Sequence, residues 1–304
     1  MGRRCSCAWT ATVVLFLAVL AAGCSNDSPT GTGIQRTAGV NVTCDADAPA
    51  IAIEWDRLNG PSPYPGPSDY FTVSDPETKT GRRLQFAGGE NIPESHFYVE
   101  HLSFALDELN TLDGWGTTAN GIVRFRGKLD LMACGATPEQ TTYPRERQRF
   151  VLEGTERVLF ILNIDTHAGA LYGVRRGVIV DQHDDGSLLF EPLYALDPAT
   201  RYAVVLTRGL VAEGNGCVTR APAWQEALSG SGADPALNAF VREGIDAVLS
   251  ADPVLDEEDL LLVLPFTTQT TIDGLLEARE QIMALPPPEI EPGSLRIETL
   301  AEGP

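Results

Sequence analysis

Lysine is almost missing from this chain. Lys79 and Lys128 are its only two, and with the arginines the basic residues number 22 against 42 acidic ones, a formal net charge of −20. Nucleic acid and anionic headgroups are polyanions held by dense positive charge, so neither is an expected partner. No apolar run after residue 22 approaches the length of a bilayer span. The six cysteines include no CxxC pair, which leaves a zinc ribbon or dithiol redox motif without basis. A glycine-rich phosphate loop is also lacking, and nothing implies a cofactor.

What is present begins at the N-terminus. Arg3 and Arg4 precede the run "AWTATVVLFLAVLAA" from Ala8 to Ala22, followed by Gly23 and Cys24. The run is too short for a stable span and has the parts of a secretory signal. Its "LAAGC" ending resembles the lipobox of bacterial lipoproteins, with alanine three positions before Cys24 and Leu20 one further back. That resemblance implies acylation of Cys24 as the mature N-terminus and attachment to a membrane through its acyl chains. Ser25 stands where an inner-membrane retention aspartate would be, which points to the outer membrane, periplasmic or surface-exposed. The alternative is ordinary signal cleavage nearby, with Cys24 incidental. Loss of residues 1–23 removes Arg3 and Arg4 and makes the mature chain more acidic still.

The segment "SNDSPTGTG", residues 25–33, is small, polar and turn-rich, as a flexible stalk would be. Once Cys5 and Cys7 leave with the signal and Cys24 is acylated, Cys44, Cys134 and Cys217 remain. They allow one disulfide in three pairings, with one thiol left over.

Six β-branched or aromatic runs predict strands over 51–55, 122–126, 158–164, 187–193, 202–207 and 260–268, each closed nearby by turn residues. "DQHDDGS" between two runs carries the Asp-Gly signature of a hairpin. Most gaps are too short for crossover helices, so the expected fold is mainly β, an immunoglobulin-like antiparallel β-sandwich with inserted short helices. Helical spacing appears over 94–114, where Gly114 can act as the stop, and in "APAWQEALSG". A third helix, "DPALNAFVREGIDAVLS", starts at a capping Asp234 with Pro235 first. A fourth, "TIDGLLEAREQIMALPPP", is ended by Pro286, Pro287 and Pro288. The tail from Glu289 to Pro304 has one apolar patch and no partner.

Several groupings approach a known chemistry and miss a requirement. Ser231 in "LSGSGAD" lacks the flanking glycines of a nucleophile elbow, because Ser229 and Ala233 hold those positions. A triad on another fold is defined by geometry, and the sequence singles out none. His96 and His101 in "HFYVEH" lie five apart, about 140° around a helix, where zinc needs one face. "DQHDDG", Asp181 to Gly186, gathers carboxylates without the calcium-loop ligand pattern and reads as a solvated hairpin tip. Asp165 and His167 in "IDTHAG" read as a strand end entering a turn rather than an acid-base pair. Trp115 and Tyr202 read as core aromatics, with a sugar-stacking face the alternative for Trp115.

Four motifs, taken in order, carry a resemblance. They are "PGPSDYFTVSDPETKTGRRLQF" (65–86), "LDELNTLDGWGTTANGIVRF" (106–125), "LFEPLYALDPATRYAVVLTRGL" (189–210) and "LLLVLPFTTQTTIDGL" (260–275). Their order and spacing resemble the N-terminal region of bacterial secreted and lipid-anchored virulence-factor lipases. In that family an immunoglobulin-like, β-rich region precedes an α/β-hydrolase domain. The resemblance covers about residues 60–275 and implies a hydrolase domain beyond residue 304 as partner. No catalytic residue transfers to this chain. The expected organisation is a signal over 1–23, a stalk over 24–45, the β-rich domain over 46–270, and a helix and linker over 271–304. A stand-alone envelope module that binds a ligand or has a structural role is the alternative.

Overall fold

The computed structural model describes residues 40–55, 66–85, 106–118, 120–140, 148–165, 175–271 and 273–286. The chain divides into Met1–Gln35 and Arg36–Pro304, and every described residue lies in the second unit. The expectations for Arg3, Arg4, Cys24, the 25–33 stalk, His96, His101, His167 and the tail from Glu289 fall outside the described residues.

Thirteen strands form among them. They are β1 (Ile51–Glu54), β2 (Thr72–Ser74), β3 (Arg82–Leu84), β4 (Gly121–Phe125), β5 (Thr137–Pro138), β6 (Phe150–Leu152) and β7 (Leu159–Asn163), then β8 (Arg175–Arg176), β9 (Val178–Gln182), β10 (Ser187–Pro192), β11 (Arg201–Thr207), β12 (Val218–Thr219) and β13 (Leu260–Thr267). The helices are α1 (Leu106–Leu109), α2 (Pro222–Leu228), α3 (Pro235–Ala251) and α4 (Asp273–Ala284).

The architecture is mainly β and antiparallel, as expected for a sandwich. One sheet runs β12-β1-β4-β10-β9-β6-β5, a second runs β13-β11-β7-β8, and β2 and β3 form a separate ribbon. Among the named strands only β1 and β12 pair in parallel. The two large sheets differ in burial. β4 alternates buried and half-buried residues, the pattern of a sheet with one covered face. β7 and β13 are buried at every position, and β11 from Tyr202 onward. Such strands need cover on both faces. β7 approaches β9 of the larger sheet on one side, and α3 packs on β13 and β7, with α2 against α3. Helices α2 and α3 therefore form a third layer over the smaller sheet.

Local chemistry explains the elements. The Asp234 carboxylate accepts the N–H groups of Ala236 and Leu237 at 2.9 and 3.2 Å, and Pro235 opens α3 where no donor is needed. Leu237, Val241, Ile245 and Val248 form its buried stripe. Gly244 lies on the same stripe, and a Cβ there would stand 2.7 Å from Cγ of Pro265, so the glycine allows the helix to seat on β13. Pro265 is tolerated because β13 is an edge strand. In the β9–β10 hairpin Gly186 adopts φ +85°, and a Cβ would stand 2.2 Å from the Phe125 carbonyl oxygen. Gly114 is not a helix stop: α1 ends at Leu109, and the glycine lets the chain pass Thr267, whose carbonyl oxygen would lie 2.7 Å from a Cβ.

Candidate functional site

The hairpin tip spends its charges locally. Asp185 accepts the N–H of Ser187 at 2.9 Å, and that bond holds its carboxyl below the usual range. Asp184 is fully exposed and pairs with Lys128 at 2.6 Å, while His183 lies 3.9 Å from Asp181. No metal-holding group of three or more His, Cys, Asp or Glu residues exists among the described residues. Ser231 bonds Ser229 at 2.8 Å on an exposed turn. The Asp165 N–H bonds Asn163 Oδ1 at 2.9 Å as β7 ends.

The aromatic candidates are core residues. Trp115 is 8% exposed, which removes the sugar-stacking alternative, and its backbone N–H bonds the Thr267 carbonyl at 2.8 Å. Tyr202 is fully buried, and its hydroxyl donates to Asp197 Oδ2 and accepts the Asp197 N–H, both at 3.0 Å. Burial pushes this phenol up to about 12. Arg176, also buried, reaches the same carboxylate at 2.8 Å, so these three residues form a structural ion-and-hydroxyl cluster.

Among the described residues, two of the clefts come closest to a site. One, about 130 Å³, is lined by Asn120, Arg149, Ile179, Asp181, Leu189, Phe190 and Glu191. It is smaller than the roughly 300 Å³ at which ligand pockets begin. Its guanidinium is engaged, since Arg149 bonds Glu191 and lies 3.6 Å from Glu139. The other, about 310 Å³, lies among Asn41, Thr43, Cys134, Thr155, Glu156 and Arg157. Neither brings a nucleophile, a base and an oxyanion donor together.

The best-built features fasten the two ends of the β body. At the N-terminal end, Cys44 is bonded to Cys217. Asp45 bridges Gly216 in parallel, and its N–H reaches the Asn215 carbonyl at 2.7 Å. Val40 is 2% exposed, so the body begins by Val40, inside the span given to the stalk. The third cysteine, Cys134, is a buried thiol that accepts the Val211 N–H at 3.2 Å, and burial pushes it up to about 11.

At the C-terminal end two aspartates each grip one threonine twice. Asp69 accepts the N–H and the hydroxyl of Thr267, both at 2.8 Å. Asp113 accepts the N–H and the hydroxyl of Thr270 at 3.0 and 2.6 Å. Between them, Thr268 donates to the Asp197 carbonyl at 2.6 Å. Comparison with protein-family models, curated proteins and solved structures finds no match to this chain. The threonine-rich stretch is thus read from contacts alone. It is a clamp holding the exit from β13, and the 66–84 segment supplies half of it. Tyr70 from that segment also donates to Asp234 at 3.1 Å, joining the clamp to the cap of α3. Sequence reasoning missed this role. The signal lay in the threonines of "FTTQTT" and in Asp69 and Asp113, but nothing in their spacing pairs residues so far apart.

Proposed function

We propose that this chain is a lipid-anchored, non-catalytic module of the outer membrane. Its acylated Cys24 and stalk carry a rigid β body, whose fastened C-terminal end presents whatever follows. The observation that carries the reading is the Cys44–Cys217 bond, which closes the body immediately behind the stalk. A structural disulfide of this kind persists in oxidising compartments, in agreement with a secretory signal. The acidic composition agrees with attachment by lipid rather than by basic residues. Fractionation of cells making the Cys24→Ser variant tests this. The variant is expected to leave the membrane fraction and become soluble; unchanged membrane association would refute the anchor.

The four motifs extend the reading to a module that precedes an α/β-hydrolase domain. The reading frame beyond Pro304 decides that part: a glycine-flanked serine motif downstream supports it. A stop codon instead favours the stand-alone binding or structural module.

A further inference from the structure

The cleft of about 310 Å³ has the size at which small-molecule pockets begin. Stretches far apart in sequence wall it: Asn41 and Thr43, the 133–135 turn, the 155–158 turn and Gly209. One carboxylate lines it. Glu156 accepts the Thr155 hydroxyl at 2.9 Å through Oε1, while its Oε2 is shut off from solvent and has no hydrogen-bond partner. Its neighbour Arg157 has a partner of its own. A carboxylate oxygen taken out of water without a donor is costly, and a donor brought by a ligand would remove that cost.

The turn that carries Glu156 is fixed in shape. Arg157 stands at φ +55°, uncommon for a residue other than glycine, and its carbonyl accepts the Thr207 hydroxyl at 2.5 Å. Gly135 lies against the side chain, since a Cβ there would stand 2.9 Å from Glu156 Cγ. Rotation about the last side-chain bond, a soft torsion in glutamate, turns Oε2 toward the cleft and leaves Thr155 an oxygen to bond.

These groups narrow the ligand class. A single carboxylate is too few for a calcium or zinc ion, whereas an organic ammonium needs one, with neutral acceptors for its other N–H groups. The hydroxyls of Thr43 and Thr155 and the amide of Asn41 are such acceptors. Val158, Ala133 and the Cys134 thiol offer apolar wall to a short alkyl stem. The chain's own ammonium side chains are committed: Lys128 pairs with Asp184, and Lys79 also has a partner. The net charge of −20 raises the concentration of cations near the surface.

We infer that this cleft binds a small, water-soluble primary amine, its ammonium paired with Glu156 and its alkyl stem laid against Val158 and Cys134. The inference stands independently of lipid attachment and of any hydrolase domain.

Titration of the isotope-labelled exported chain bearing Cys24→Ser with propylamine, followed by NMR, tests it. Saturable shifts are expected in the amides of 133–135, 155–158 and 209, with half-saturation at about 0.1–1 mM. Tetramethylammonium has the same charge but no N–H, and it is expected to leave these amides unmoved. Glu156→Gln keeps the shape without the charge and is expected to raise the half-saturation concentration at least about tenfold. A spectrum that matches the parent away from the cleft shows that this variant is folded; if it is not, the comparison of the two cations on the parent decides. No saturation by about 10 mM overturns the inference. So do equal shifts from tetramethylammonium, an unchanged affinity in folded Glu156→Gln, or shifts that arise only with phosphatidylethanolamine vesicles and not with the free amine.

Discussion

Asp69 carries its carboxyl into the base of a buried strand, with its side chain 3% exposed and Arg82 at 3.5 Å. Burial outweighs the Arg82 charge and the two Thr267 hydrogen bonds, so its pKa is raised above the ordinary carboxylate value. The sign of the pH effect follows. A carboxyl with a raised folded-state pKa contributes stability that is fully present below its unfolded pKa of about 3.9 and lost as pH rises through the folded value. In Asp69→Asn the neutral amide still offers Thr267 an acceptor but no longer titrates. The melting temperature of the parent relative to this variant is therefore expected to rise as pH falls from neutral. A difference that stays constant with pH would contradict the assignment. Asp69→Ala is expected to cost about 1–3 kcal/mol, because it strands the Thr267 N–H in a buried site. Cys134 gives a second check at this scale. Its thiol is buried and its pKa is pushed up to about 11, so hardly any thiolate exists at neutral pH. The native protein is expected to resist iodoacetamide, and denaturant without reductant is expected to expose one reactive thiol. Rapid native labelling would contradict its place beside Val211.

At the scale of elements, Gly244 sets two effects against each other. Alanine in a helix interior gains about 1 kcal/mol over glycine. Here the added carbon would stand 2.7 Å from the Pro265 ring, and overpacking of a filled core costs about 1–3 kcal/mol. The clash is expected to win, so Gly244→Ala should lower the denaturation midpoint by a net loss of up to about 2 kcal/mol. A raised midpoint would show that α3 does not seat on β13 at this residue. The strands were legible because each is a short apolar run closed by turn chemistry; all six predicted runs match strands to within about a residue or two. The α3 cap was legible as well, since Asp234 and Pro235 act on neighbours in sequence. The helical layer over the smaller sheet was less so, although fully apolar runs such as "LLLVLPF" already signal cover on both faces. The clamp was not legible. Thr267 finds Asp69 across 198 positions, and no local rule foretells such a pairing.

On the scale of the whole molecule, the fold is closed at one end by a covalent bond and at the other by carboxylate–hydroxyl pairs. The Cys44–Cys217 bond spans 173 positions, and a loop of that size is expected to contribute about 5 kcal/mol by chain entropy. Reduction, or Cys44→Ala with Cys217→Ala, should lower the melting temperature by several degrees and free residues 40–50 to proteolysis before the rest of the body. A melting temperature unchanged by reduction would mean that the bond closes nothing the fold does not already hold. The proposed attachment would follow the same chain order: acylated Cys24, stalk, disulfide, body, clamp. The measurement that tests this most directly is mass spectrometry of the protein taken from its own cell envelope, with peptides mapped without reduction. The account expects an N-terminal peptide that begins at Cys24 and carries acyl chains, together with a peptide linking Cys44 to Cys217. A chain that retains Met1, with Cys24 unmodified and Cys44 and Cys217 both free, would contradict it.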